Sequence, residues 1–375
     1  MRLVRVTDIR DGMELAREIP ASLPGGAPLL RHGVKLCSAM ATRLAQRGVR
    51  AVWIADDLGE GVIPTQPVPD EVRRATERAV SDCFAATRVL AGEPRHLPDT
   101  ALEQLENAAM RIVQALAECP DATLAFDDLA TADSYTYTHS VRVATLGLVL
   151  GQHIYRREGW VDWRGDHRHD RVAERMAHLG LGLLLHDIGK LAIPETILNK
   201  PGKLTAEEWK LIQTHPQAGT SLLAGKAVSP LSICIVRDHH ERWDGLGYPT
   251  GKKDTQTHQF ARIAAVADVY DAVTADRPYK AGSAPHIGVN VIRQGAGTQF
   301  DPAIAEHFRH VVMPYPIGHT ITMPDGTPAV VTHIDQDEPD HPVVRWRTQA
   351  GQLIESKLHV IDGEVQGDLE RRDAA

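Results

Sequence analysis

A basic surplus is missing from this chain: 41 Lys and Arg stand against 49 Asp and Glu, a formal net charge of -8. General nucleic-acid binding needs an excess of cations to neutralise phosphates, so no nucleic-acid polymer is expected as a partner. An anionic ligand would need a local positive site, which bound metals can supply. Long apolar runs are missing too. None approaches the roughly 18 residues that span a bilayer, so no membrane insertion is expected. Residues 1–11 alternate charge with Val and Leu and lack the apolar core of a signal peptide. A cytoplasmic protein is therefore expected. The four cysteines (Cys37, Cys83, Cys119, Cys234) are scattered and form no CxxC pair, which excludes zinc-finger and disulfide frameworks. What is present, 43% apolar and 24% charged residues, is ordinary for a soluble globular protein. A length of 375 residues predicts two or three domains.

Residues 1–68 look like a small α/β module. Short alternating strands are expected at 3–6, 12–16 and 49–54, with a further pair about a turn at 28–34. Ser38 is the expected N-cap of a helix over 39–47 that Gly48 stops. Nothing here has catalytic spacing. After Pro64, Pro67 and Pro69, two amphipathic helices are expected over 70–90 and 99–118, joined by a turn at Gly92-Glu93-Pro94. Their apolar faces suit either a homodimer contact through 70–120 or plain packing within the chain. We assign 69–120 to this helical linker pair.

From 121 to 312 the composition turns helical and rich in histidine. Leu181-Gly182-Leu183-Leu184-Leu185 reads as the last turns of a buried helix, and it runs straight into His186-Asp187-Ile188-Gly189-Lys190. Burying those polar groups is costly unless they are paired or hold a metal. Around them stand His139, at the start of an apolar helix; His215, after a helix over 206–214 that Thr205 and Glu208 open as a capping box; His239 and His240, after a helix from Ser229; and Asp268, inside an apolar helix over 260–274. Asp268 is expected to be buried with a compensating partner. The charged stretch 155–176 is read as a surface insertion, its histidines included.

A satisfied His–Asp hydrogen-bond network explains any one of these positions, but not seven together. Imidazoles and carboxylates from five helices suit first-row divalent metals, iron or manganese about as well as zinc. Two such ions bridged by a carboxylate and a hydroxide would supply a nucleophile and neutralise charge on a phosphodiester. Lys190 lies one helical turn past His186, where it could reach a phosphate oxygen.

The stretch 130–312 resembles the HD-GYP family of the HD metallophosphohydrolase superfamily. The resemblance is carried by YTYTHS at 135–140, HDIGK at 186–190, IPETILNKPGKLT at 193–205, HP at 215–216, HHERWDGLGYP at 239–249 and ADVYDAVTADRPYK at 267–280. It covers about half the chain. It implies an all-helical HD-type catalytic domain, hence a mainly α chain. It also implies hydrolysis of cyclic di-GMP to linear pGpG and on to GMP. By that resemblance His139, His186 and Asp268 hold one divalent metal and His215, His239 and His240 the other, with Asp187 bridging them as a catalytic carboxylate. Lys190 matches a phosphate-contacting lysine, and Arg277 and Lys280 match a phosphate clamp. Tyr248, in the family's namesake loop, packs against either ligand or fold. The family also implies docking of a diguanylate cyclase through this loop. A third metal in some members is helped by a Glu where this chain has Tyr135, so two ions are expected, iron or manganese.

Beyond 312, strands at 318–323 and 329–334 flank the turn Pro324-Asp325-Gly326-Thr327, and further strands are expected at 343–346 and 359–361. Residues 313–375 are thus expected to form a small β-rich, barrel-like appendage packed on the helical domain. Three functions are compatible with these motifs: a cyclic di-GMP phosphodiesterase, the same metal chemistry on another cyclic dinucleotide or nucleotide phosphate, and a non-catalytic nucleotide-sensing or docking module. The intact set of expected ligands favours an enzyme.

Overall fold

The computed structural model describes the chain except for 20–26, 50, 65–66, 88–96, 120–134, 163, 201, 276–281, 336–337, 362–363 and 366–375. Near the N-terminus, β1 (Arg2–Arg5), β2 (Glu14–Leu15) and β3 (Ala51–Ala55) make an antiparallel sheet ordered β1-β3-β2, with Leu3 opposite Trp53 and Val4 opposite Val52. Helix α1 (Ser38–Gln46) packs Ala41 and Leu44 into the same small core as Val4, Val52 and Ile54. Val52, Trp53 and Ile54 are consecutive and all buried, so both faces of β3 are covered. Ser38 is not the N-cap that was expected. It is the first helical residue, and Asp11 caps it from a distance by accepting from its backbone N–H (2.8 Å) and its hydroxyl (2.7 Å). Gly48, at φ 81°, ends the helix in a conformation that favours glycine.

Helices α2 (Asp70–Thr87) and α3 (Asp99–Glu118) turn their apolar stripes inward, against α4 (Tyr135–Arg157) and α5 (Val172–Leu185). Phe84, Leu105, Ile112 and Leu116 lie in one core with Leu148, Leu183 and Phe260. The apolar faces of the pair are therefore used within the chain; the Gly92-Glu93-Pro94 turn lies outside the described residues. Between α4 and α5 a short hairpin, β4 (Trp160–Val161) and β5 (His167–Arg168), carries His167 and His169 in the open, as expected. The charged insertion is shorter than expected, because Tyr155, Arg175 and Met176 belong to the flanking helices and are buried. Arg175 lies over Trp160, with its guanidinium carbon 4.0 Å from the ring centroid.

The rest of the helical body is α6 (Glu195–Leu198), α7 (Ala206–Ile212), α8 (His215–Leu222), α9 (Pro230–Asp238), α10 (Gln259–Thr274), α11 (Pro285–Gly295) and α12 (Pro302–Val311). The capping box on α7 forms as expected from Thr205 and Glu208, but the helix stops at Ile212 and His215 opens a new one. No helix among the described residues is long and apolar enough to cross a membrane.

Strands β6 (Thr320–Thr322), β7 (Pro328–His333), β8 (Val343–Arg347), β9 (Leu353–Lys357), β10 (Val360–Ile361) and β11 (Glu364–Val365) form one sheet ordered β10-β11-β6-β7-β8-β9. Strand β9 runs on into β10, with Leu358 N–H donating to Pro342 O (3.0 Å) and Val360 N–H to Asp340 O (3.0 Å). The sheet thus curls back on itself around Ile321, Val331, Val344 and Val360, barrel-like as expected. The hairpin about 324–327 forms; β9, half exposed and interrupted by Glu355 and Lys357, was not apparent in the sequence. This sheet touches the helical domain, as expected, through Tyr315 of its core, which stacks on His286 of α11 at 5.7 Å between centroids. It packs mainly on the N-terminal module. Leu3 N–H donates to Gly318 O (2.8 Å), the Thr320 hydroxyl donates to Leu3 O (2.8 Å), and Arg345 reaches Glu60 O (2.6 Å). Leu58, Val62 and Val330 close the seam. It is this sheet that covers the second face of β3: a Cβ on Gly318 would lie 2.6 Å from the Trp53 ring.

Candidate metal centre

Five helices bring their ends or inner faces to one place. In α5, glycines let the chain approach its neighbours: a Cβ on Gly182 would stand 2.9 Å from Ser232 O on α9. The helix ends at Leu185, and its C-cap is His186. Asp187 then leaves helical geometry (φ -99°, ψ 5°) and opens a 3-10 turn over Ile188–Ala192. That turn lies so close to α8 that a Cβ on Gly189 would be 1.9 Å from His215 O. Helix α9, capped by Ser229 with Pro230 behind it, delivers His239 as its own C-cap, with His240 next. Helix α10, carrying Asp268 and Asp271, is N-capped by His258, whose Nδ1 accepts from Phe260 N–H at 3.1 Å.

At the centre is Asp187, 1% exposed. Its Oδ2 lies 3.5 Å from His139 Nε2 and 3.3 Å from His186 Nε2. Its Oδ1 lies 3.5 Å from His215 Nε2 and 4.0 Å from His239 Nε2. One carboxylate therefore faces two separate groups capable of holding a cation: His139, His186 and Asp187 on one side, Asp187, His215, His239 and His240 on the other. Asp268 stands beside both, 3.3 Å from His139 Nε2 and 3.9 Å from His240 Nδ1.

The donor chemistry fits a metal better than a hydrogen-bond network. His186 Nδ1 donates to Leu183 O (2.7 Å), His215 Nδ1 to Ile212 O (2.8 Å) and His239 Nδ1 to Ile235 O (3.0 Å). A carbonyl only accepts, so in each ring Nδ1 carries the proton and the neutral ring points an Nε2 lone pair inward. His215 and His239 then oppose two Nε2 lone pairs at 3.3 Å, and the His186 Nε2 lone pair faces His139 Nε2 at the same distance. Lone pairs at that separation repel unless a cation lies between them. Asp187 Oδ1, buried, has no hydrogen-bond donor among the described residues. A divalent ion with mixed imidazole and carboxylate ligands meets each of these needs.

Charge is distributed accordingly. Burial would raise the Asp187 pKa, but Lys190 and His186 beside it hold the carboxyl well below the usual range. Burial pushes His215 and His239 down and takes His240 to about 4, so all three stay neutral at pH 7, as a cation's ligands must be. Burial opposes charge on His139 as well, yet hydrogen bonds to Asp187, Asp268 and Asp271 outweigh it and raise its pKa well above the ordinary value. Without a cation, this ring keeps a proton in the midst of three carboxylates.

Three positioning residues, Asp271, Arg142 and Glu241, were not singled out from the sequence. Asp271 accepts from His139 Nδ1 at 2.7 Å and from Arg142 Nε at 2.6 Å, and it is buried. The available signal was spacing: Asp268 and Asp271, like His139 and Arg142, are three apart on one helix face. Buried Glu241 is a third, accepting from Thr250 N–H (2.8 Å), the Thr250 hydroxyl (2.6 Å) and Lys252 N–H (3.0 Å). It pins the loop carrying Tyr248 to the end of α9.

Of the remaining expected residues, Lys190 is one-third exposed and its Nζ lies 2.6 Å from Asp187 Oδ2. Tyr248 stacks on His240 at 4.7 Å between centroids with 29° between planes. Asp268 is largely buried, its side chain 14% exposed, and it has the expected partners in His139 and His240. Arg277 and Lys280 lie outside the described residues, as does the Tyr135 side chain.

Residues 168–304 match the HD domain family. Among known proteins, the chain is 33% identical over 354 residues to a cyclic di-GMP phosphodiesterase of Pseudomonas aeruginosa, a match covering 88% of this chain and 81% of that one. A cyclic di-GMP phosphodiesterase of Vibrio cholerae is 42% identical over 132 residues, 33% of this chain and 27% of that one. A 3'3'-cGAMP-specific phosphodiesterase of the same organism is 31% identical over 221 residues, 57% of this chain and 45% of that one. This chain therefore spans under half the length of both Vibrio proteins. With two facing histidine groups about one aspartate and a match along most of the Pseudomonas enzyme, the chain belongs to the HD-GYP family of HD-domain phosphohydrolases and is a phosphodiesterase.

Proposed function

We propose that this phosphodiesterase hydrolyses cyclic di-GMP to linear pGpG and onward to GMP. In this proposal His139, His186 and Asp268 would hold one divalent ion, His215, His239 and His240 would hold a second, and Asp187 would serve both. The carrying observation is the Asp187 carboxylate, whose two oxygens each face a different set of imidazole lone pairs. Iron or manganese suits this mixed donor set. Bound there, such ions supply a nucleophile at neutral pH and offset charge building on phosphoryl oxygens.

The chain's own residues do the rest. Asp271 and the Leu183, Ile212 and Ile235 carbonyls hold the imidazoles with Nε2 inward. Lys190 keeps Asp187 ionised and oriented, and its exposed stem lets the ammonium turn to a phosphate oxygen. Buried apolar surface behind the imidazoles lowers the local dielectric and strengthens each of these charge contacts.

A second reading, hydrolysis of 3'3'-cGAMP by the same groups, is favoured by the similarity to the Vibrio enzyme. One experiment separates the readings: metal content and turnover of each dinucleotide, on protein purified anaerobically with iron or manganese supplied. About two metals per chain, with cyclic di-GMP turned over faster, is the expected outcome. Preference for 3'3'-cGAMP overturns the substrate, and protein free of metal overturns the site.

A further inference from the structure

Helix α7 contributes nothing to the core: none of its seven residues is buried. It is nonetheless firmly held. Its capping box satisfies Thr205 N–H and Glu208 N–H reciprocally, and Lys200 Nζ grips both Glu208 oxygens at 2.8 and 2.7 Å. What this rigid turn presents is Trp209, 47% exposed. An indole is the largest apolar group a chain can bury, and leaving half of it in water forgoes that gain.

Trp209 is the outer rung of an aromatic ladder rising from the metal centre. Its ring meets Tyr248 edge to face at 6.3 Å between centroids. Tyr248 in turn stacks on His240 at 4.7 Å and meets His215 at 6.5 Å. A phosphodiester at the two histidine groups has sugars and bases leading away from it, and the ladder offers them successive aromatic faces from His240 out to the half-exposed Trp209. The loop bearing Tyr248 is pinned by Glu241, so the rungs are set before any ligand arrives.

We infer that Trp209 is a substrate-binding residue that stacks on a purine base of the dinucleotide whose phosphodiester lies at the metal centre. This rests on the proposed phosphodiesterase site but holds for either dinucleotide, because guanine and adenine both offer a π-face to an indole.

The test uses the metal-loaded enzyme and its W209A and W209F variants, with cyclic di-GMP and 3'3'-cGAMP as probes. Stacking contributes about 1–3 kcal/mol per base, so W209A should raise KM by about 5- to 150-fold. The turnover number and metal content should barely move, and W209F should recover most of the loss. An unchanged KM in W209A overturns the inference. So does a metal content that falls with the indole, because Trp209 would then be structural. The chain has six tryptophans, and the difference in fluorescence between wild type and W209F isolates this one. Quenching by the dinucleotide in wild type that W209F lacks supports stacking even if neither probe is hydrolysed, an outcome that would overturn the substrate proposal alone. Equal quenching in both proteins overturns the stacking.

Discussion

Asp271 holds His139 by its outer nitrogen, Nδ1 to Oδ2 at 2.7 Å, and is itself held by Arg142 at 2.6 Å. This contact fixes the tautomer of an imidazole whose Nε2 lies 3.5 Å from Asp187. The expected consequence is a metal affinity set partly by a residue that never touches the ion. Asp271→Asn should weaken metal binding by about 10- to 100-fold, with Asn acting as a poorer acceptor for the Nδ1 proton. Competition with a graded chelator checks it; unaltered affinity would show that Asp271 serves only the packing of α4 on α10.

Asp187 is the one residue common to both histidine groups. Asp187→Ala should therefore deplete both groups together and lower turnover by more than the hundredfold or so expected for an outer partner. Metal analysis and kinetics on the same preparation decide this. Full metal content with retained turnover would sink the bridging role.

His258 ties acid stability to the site's scaffold, because its Nδ1 must be unprotonated to cap α10. Burial, with Arg175 and Arg262 nearby, pushes its pKa down to about 4; burial and Arg157 do the same to His153. The sign follows from the unfolded chain, where these rings take a proton near 6.5. Above that pH both states are neutral and nothing is gained or lost. Below it the unfolded state gains protons that the folded state refuses, so stability falls from about 6.5 to about 4 and then levels. Urea unfolding across this range should show the decline. His258→Asn keeps a capping acceptor that cannot titrate and should make the decline shallower. Identical slopes in the two proteins would remove His258 from the account.

Gly189 is where the turn after Asp187 meets α8, with His215 O and Gly219 N both in the space a Cβ would take. Both are backbone atoms and cannot swing aside. Gly189→Ala should cost at least about 1–3 kcal/mol as overpacking and shift His215 away from Asp187. A lowered thermal midpoint together with metal loss is expected. Loss of metal at unchanged stability would mean that the turn moves without straining the core.

How much was legible in the sequence differs along the chain. Helix periodicity, the capping box at Thr205 and the turn at 324–327 are local features, and each formed where its residues place it. The Ser38 cap failed because the acceptor that serves the helix start, Asp11, is 27 residues away. Glu241 was missed for a like reason: a carboxylate's role depends on which donor faces it, and Thr250 is not a neighbour that spacing alone identifies.

By itself the sequence determined that imidazoles and carboxylates would come from five apolar helices. Their types and spacing are chemical facts that no packing alters. Only the tertiary structure decided that the two oxygens of Asp187 face different histidines, that the Nε2 lone pairs oppose one another, and that Trp209 stands clear of the core beside Tyr248. It also decided that the C-terminal sheet covers β3. These are relations between surfaces distant in the chain, set by which apolar faces bury one another, and that burial is shared among all the elements at once.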